Sequence, residues 1–449
     1  MCITKVISTR SKLKPVRYKY FMKTAFHVSP NGHLNTTHPE GLMSGFFSMP
    51  GMVNAHSHSF QRAMRGLVET KHPKHQDNFW SWREMMYAIA SKASPDDFET
   101  LATWCFLDCL KSGFTEVGEF HYVHHRPDGT FYQPSYCVAE RIARAARKVG
   151  IRLTLLHTAY HSNGPGISAS PAQRQFIFPD AEAFLEHVQT ARAKIGGAQI
   201  EHGVALHSIR ACPREWMKPI AAYAKKEGLP IHVHAAEQTD ELKMCQEAYG
   251  MSPIALLNSE TVLGKQTTVV HGTHVSDLDI ELLAQTQTMV CICPSTERNL
   301  GDGMAPIESY LQRGIKMVIG TDSHARIDVV DELRSLEDHE RLRLQKRLVW
   351  LHNNNDLVAA LTPAVCAHGY ASLGKNALKP KDRVLVEIPE FLDGCAPLHI
   401  AQNWLIGGSA NDIKHVFVGT EQVIHSGKST RVDETALNRE INNILKRLI

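Results

Sequence analysis

Four helical patterns in this chain end in glycine and run straight into a short apolar stretch. Gly113 leads into FTEVGEF, Gly150 into IRLTLLH, Gly228 into LPIHVH and Gly314 into IKMVIGTD. Glycine just past a helix takes the left-handed backbone conformation without a Cβ clash, so it stops the helix. The lysines and arginines just before these glycines suit the negative end of the helix dipole. Each run that follows is rich in β-branched residues and reads as a strand. A chain that alternates helix, stop and strand in this way is restricted to βα units around a mostly parallel sheet.

Eight candidate strands follow this rhythm: Met49–His56, Thr115–Phe120, Ile151–Thr158, Val204–Ser208, Pro230–His234, Thr267–Gly272, Met289–Pro294 and Lys316–Asp322. Helical patterns separate them, among them Ser94–Ser112, with Ser94 as N-cap and Pro95 in the first turn. Eight units favour a closed (β/α)₈ barrel, an α/β fold of the TIM type, over an open sheet. No glycine-rich dinucleotide fingerprint follows the first strand, which argues against the open alternative. Each strand is apolar until its last residues, where His, Glu, Arg or Asp appears, and barrel enzymes carry their chemistry at that end. Residues 49–383 are therefore assigned to the barrel. Residues 19–48 and 384–449 break the rhythm and are expected to pair into a small β-sandwich-like domain, with Asn403–Ile406, His415–Val418 and Gln422–His425 as short strands. Residues 1–18 read as a disordered basic tail rather than a mitochondrial presequence, because they lack a convincing amphipathic helix.

A formal net charge of only +3 gives no reason to expect nucleic acid or a membrane surface as partner. No apolar run is long enough to span a bilayer. The ten cysteines show neither disulfide spacing nor paired CxxC motifs, so reduced thiols and a cytoplasmic location are expected. Histidine is in excess, with 26 residues, which raises the expectation of a metal or acid–base site.

His56 and His58 close the first strand. Residues two apart on a strand point the same way, so both imidazoles can face one ion, although H-x-H alone is a weak signal. His234 closes the fifth strand. His232 shares its face, and only the nearness of His234 to the strand end favours it. Glu237 follows three residues later, His271 closes the sixth strand and Asp322 the eighth. Imidazoles and a carboxylate are normal zinc ligands, and a catalytic zinc keeps one position open for water.

In order and approximate spacing, these motifs resemble the single-metal deaminases of the amidohydrolase superfamily. Within that branch the chain is most similar to the formimidoylglutamate deiminases of histidine degradation. The similarity runs from about Lys19 to Lys428. Its most specific stretches are HSHSFQRAMRGL (56–67), FWSWRE (79–84), EFHYVHH (119–125), ALHSIRA (205–211), HAAEQ (234–238), STERNLGDG (295–303) and GTDSH (320–324). The chain departs from the pattern between about Asn31 and Met49, which looks short, and at 378–387, which lacks the usual Gly-Ala-Asp ending.

The resemblance implies one Zn²⁺ per chain on His56, His58, His234 and Asp322. It further implies catalytic roles for Glu237, His271 and Asp322, and hydrolysis of N-formimidoyl-L-glutamate to N-formyl-L-glutamate and ammonia. A small dicarboxylate substrate calls for fixed cations, and a guanidinium meets a carboxylate with two parallel N–H groups. Arg83 and Arg210 are the candidates, with Gln61, Tyr122 and His207 adding hydrogen bonds. Trp80 and Trp82 are expected to pack the segment that carries Arg83. A homodimer is expected. Two other readings compete: a deaminase of guanine- or cytosine-type rings, whose pocket would gain little from two arginines, and a non-catalytic barrel that keeps its metal for stability.

Overall fold

In the computed structural model, residues 25–36, 43–70, 78–351, 354–375 and 381–448 are described. The basic tail expected at 1–18 lies outside them. Local chemistry sets the helix ends. Ser94 caps helix Pro95–Lys111 by accepting the Asp97 N–H, and the Asp97 side chain returns the bond. Gly150 and Gly228 close their helices in the left-handed conformation, at φ 85° and 67°.

The strands released by these stops line up in sequence order as one eight-stranded parallel sheet. They are Met52–Ser57, Phe114–His121, Arg152–Ala159, Ile200–Ser208, Ile231–Ala235, Thr267–His271, Met289–Ile292 and Met317–Ile319. The sheet curls until strand eight meets strand one. A parallel bridge joins Ser57 to Asp322, with His58 N–H donating to the Asp322 carbonyl at 3.1 Å and Asp322 N–H to that of His56 at 3.0 Å. Gly320 permits this approach, since a Cβ there would lie 2.8 Å from the His56 carbonyl oxygen. Val53, Ala55, Val270, Cys291 and Val318 fill the barrel interior, with Tyr370 and Leu373 packed against them.

The first strand differs from expectation. Met49–His56 is not continuous: Phe46–Pro50 belongs to a second sheet, and the barrel strand begins at Met52. Gly51 makes the switch in a crowded place, where a Cβ would meet Thr115 and Asp382. The second sheet has seven strands in the order Lys428–Ser429, Glu421–His425, Ile413–Val418, Arg383–Glu387, Phe46–Pro50, Phe26–Val28 and Leu34–Asn35. Arg383–Glu387 lies antiparallel to both Phe46–Pro50 and Ile413–Val418, so it joins the two ends of the chain.

Asn403–Ile406 is not a strand. It lies in helix Pro397–Gly407, which buries Ile400, Ala401, Trp404 and Leu405, a helical spacing rather than an alternation. Trp404 meets Phe47 of the sheet edge-on, with ring centroids 5.7 Å apart. The chain closes on a further helix, Glu434–Leu448, whose Leu437, Ile441, Ile444 and Leu448 face inward. Arg447 clamps Asp97 with two bonds of 2.7 and 2.9 Å.

Part of the histidine excess is structural. His121, His124, His125, His157 and His187 are buried together, with ring centroids 5.1 Å apart for His121–His124 and 5.0 Å for His124–His187. Burial pushes His121 down to about 3, and His125 and His187 down to about 4. In the unfolded chain each titrates near 6.5 and binds protons that the folded chain refuses. Stability is therefore complete above about pH 6.5 and falls as pH drops toward 4, by about 1.4 kcal/mol per unit for each histidine. We expect His187→Leu to flatten the acid limb of the stability curve, measured by denaturant unfolding of metal-free protein between pH 7 and 5. An unchanged slope would show that His187 takes up protons equally in both states.

Candidate metal centre and active site

The C-terminal ends of strands one, five and eight bring His56, His58, His234 and Asp322 to one point. Their ligand atoms all lie within 4.8 Å of one another, and all four residues are buried. Asp322 Oδ1 is 3.3 Å from His56 Nε2 and 3.1 Å from His58 Nε2, and the Nε2 atoms of His56 and His234 are 3.0 Å apart. His232 is excluded from this point, because its Nε2 bonds to the Ser372 carbonyl at 3.0 Å. Asp322 and His271 hold left-handed backbones, at φ 49° and 73°. Such strain in non-glycine residues concentrates at functional sites.

The donor set fits a divalent cation. His58 Nδ1 donates to the Phe120 carbonyl at 3.0 Å and His234 Nδ1 to the His207 carbonyl at 2.8 Å. These bonds fix the tautomer and turn the Nε2 lone pairs inward, as outer-shell partners of metal-binding histidines do. The lone pair of His58 then faces the Asp322 carboxylate, acceptor against acceptor, an arrangement that a shared cation resolves. Burial pushes His56 down to about 3 and also holds His234 far below the usual histidine range, so both are neutral and able to ligate. Burial alone would raise Asp322, but the His56 and His58 imidazoles against its Oδ1 outweigh it and keep the carboxyl well below its ordinary value. Because Gly320 sets the spacing of Asp322 from His56, Gly320→Ala should force them apart. We expect a tenfold or larger loss of metal affinity, read by chelator competition; undiminished affinity would contradict this account of the closure.

Glu237 stands beside this point without joining it. Its Oε1 is 3.7 Å from His271 Nε2, which in turn is 3.8 Å from Asp322 Oδ2. Burial disfavours charge on His271, but Glu237, a hydrogen bond to Glu297 and the charge of Asp322 together raise its pKa well above the ordinary value. Glu237 Oε2 also accepts a bond from Arg210 at 2.9 Å, with both side chains buried. This pairing joins a residue expected to bind substrate to one expected to move protons.

Above these groups is a partly open cavity. All five residues expected to contact substrate line it: Gln61, Arg83, Tyr122, His207 and Arg210. Gln61 donates to the Tyr122 hydroxyl at 2.8 Å, and Arg83 to Asn163 at 3.3 Å. The Nε atoms of Arg83 and Arg210 are buried without a protein partner. Phe79, Trp82, Met86, Tyr87 and Leu300 complete the wall. Trp82 therefore faces the cavity, contrary to expectation, whereas Trp80 packs on the Arg83 guanidinium at 4.6 Å. The signal for this wall was the spacing of 79, 82, 83, 86 and 87, one face of helix Phe79–Lys92.

Comparison with known proteins agrees with the geometry. A model of the amidohydrolase family matches residues 47–364. The chain belongs to the amidohydrolase family. This amidohydrolase is 35% identical to the formimidoylglutamate deiminase of Pseudomonas aeruginosa, over 92% of its own length and 93% of that protein. It is 27% identical to a 5-methylthioadenosine/S-adenosylhomocysteine deaminase of Natronomonas pharaonis, over 88% and 85% of the two chains. Among solved structures, an amidohydrolase from Brucella melitensis superposes with a TM-score of 0.86 at 31% identity, covering 94% of this chain and 98% of that one. A zinc-bound adenosine deaminase from Xanthomonas campestris shares the fold, with a TM-score of 0.75 at 18% identity over 94% and 97% of the chains. Among the described residues, no helix is long and apolar enough to cross a membrane.

Proposed function

We propose that this amidohydrolase hydrolyses N-formimidoyl-L-glutamate to N-formyl-L-glutamate and ammonia, with one zinc ion per chain. The observation that carries the reading is a cavity that places two partly unpaired guanidinium groups, Arg83 and Arg210, beside Glu237 and the His/Asp cluster. A linear amidine with two carboxylates supplies what those cations lack.

His56, His58, His234 and Asp322 would hold the zinc, which would lower the pKa of a nucleophilic water toward neutrality. The residues around it handle substrate and protons. Arg83 and Arg210 bind the carboxylates and orient the formimidoyl carbon toward the cluster. Asp322 Oδ2 takes the water proton, with His271 Nε2 as its partner. The second water proton, on the hydroxyl of the tetrahedral adduct, passes through Glu237 Oε1 to the departing nitrogen, which also receives the proton held by Asp322 and leaves as ammonia rather than as an amide anion. The aromatic residues Phe79, Trp82 and Tyr87 shed water from the site. That same wall favours a ring substrate as the second reading, but a neutral heterocycle would supply no carboxylate for the unpartnered Nε–H groups of Arg83 and Arg210.

Arg83 offers the cleaner mutational test, because Arg210 also pairs with Glu237. Arg83→Met should lower kcat/KM for formimidoylglutamate by about 10²–10³ while the zinc stays bound. Normal turnover by this variant would remove the dicarboxylate from the reading.

A further inference from the structure

The stretch STERNLGDG, residues 295–303, is part of what makes this chain distinctive, yet apart from Leu300 in the cavity wall and the contact of Glu297 with His271 none of its residues touches the site. It forms helix Pro294–Leu300 and the turn after it, beside the end of strand seven. The segment is anchored on several sides. Ser295 N–H donates to Glu332 at 3.0 Å, Thr296 Oγ1 bonds to the Thr321 carbonyl at 3.1 Å and to Ser323 at 2.9 Å, and Arg298 pairs with Asp331 at 2.6 Å. From this fixed base Glu297 points inward. It is only 3% exposed, and its Oε1 accepts the Cys293 N–H at 2.8 Å and lies 3.3 Å from His271 Nδ1.

We propose that Glu297 is a positioning residue for His271, holding the ring by its Nδ1–H so that Nε2 is presented between Glu237 and Asp322. A carboxylate oxygen only accepts, so Nδ1 must carry the proton in this bond. With Nδ1 committed, rotation of the ring would break the bond, and Nε2 stays 3.7 Å from Glu237 and 3.8 Å from Asp322. Support is needed here because His271 sits at the strained φ of 73°. Outer-shell carboxylates orient functional histidines in this way, and losing one typically costs 10–100-fold.

The proposal rests on the reading of His271 as a catalytic partner, and a double-mutant cycle on zinc-loaded protein separates the two. Glu297→Ala should lower kcat for ammonia release from N-formimidoyl-L-glutamate by about 10–100-fold, with KM and zinc content within about twofold of wild type. Glu297→Gln, whose amide oxygen still accepts from Nδ1–H, should recover most of that loss, and it remains informative if the alanine variant folds poorly. In a His271→Asn background, Glu297→Ala should change kcat by less than about twofold, because the group it positions is gone. A readout independent of turnover is the Nδ1–H proton of His271 in isotope-labelled protein. Its signal should be present in wild type and absent from both Glu297→Ala and His271→Asn. An equal loss of kcat in both backgrounds, or an Nδ1–H signal untouched by Glu297→Ala, would overturn the proposal. A wild-type kcat for His271→Asn would remove the catalytic reading of His271, and the positioning role with it.

Discussion

Replacing His56 by Ala, or Asp322 by Asn, is expected to abolish metal binding and activity together. His56 is fully buried at the centre of the cluster, with His58 and His234 rings 4.7 and 4.8 Å away. Removing it deletes one of four ligand atoms that lie within 4.8 Å of one another. Asp322→Asn keeps the shape but removes the negative charge that balances the cation. Elemental analysis of the purified variants should find far less than one zinc per chain, against about one for wild type, with ammonia release lost in parallel. Full activity in a metal-free preparation would contradict the assignment.

The second large effect separates proton transfer from metal binding. Glu237→Gln keeps the side-chain shape but cannot carry a proton, and turnover should fall by about 10²–10⁴. Zinc should stay, because Glu237 lies outside the ligand set. The variant also takes away the negative partner of Arg210. Glu241, fully buried and acting on the same guanidinium, still offsets that charge. A moderate loss of stability should therefore accompany the kinetic defect, while the fold is kept. Loss of zinc from Glu237→Gln would make Glu237 a ligand and refute its role as a shuttle.

How much of this was legible in the sequence depends on the range of the interaction involved. Helix stops and apolar runs are local, so the barrel strands could be read from them, except that the first was run on through Gly51 into the second sheet, and their polar ends carry His56, His58, His234, His271 and Asp322. Spacing could not choose between His232 and His234, because both lie on one strand face. Nearness to the strand end favoured His234, and the physical reason lies across the fold, where the Ser372 carbonyl satisfies His232. The pairing of Arg210 with Glu237 was invisible for the same reason, since two neighbouring strands must register before the residues meet. Trp82 was legible but misread: its helical spacing with Phe79 and Met86 put it on the cavity face. Asn403–Ile406 was misread as a strand, although Pro397 and the spacing of Ile400, Trp404 and Leu405 already carried a helical period. The buried group around His121, His124 and His187 had no sequence signal, because it is assembled from separate strands, loops and helices.

The central claim is the substrate. It is tested most directly by ammonia release from the purified, zinc-loaded protein, with N-formimidoyl-L-glutamate, formiminoaspartate and guanine compared at equal enzyme concentration. The account predicts the highest kcat/KM for formimidoylglutamate and no release above background from guanine. Release from guanine alone would contradict it.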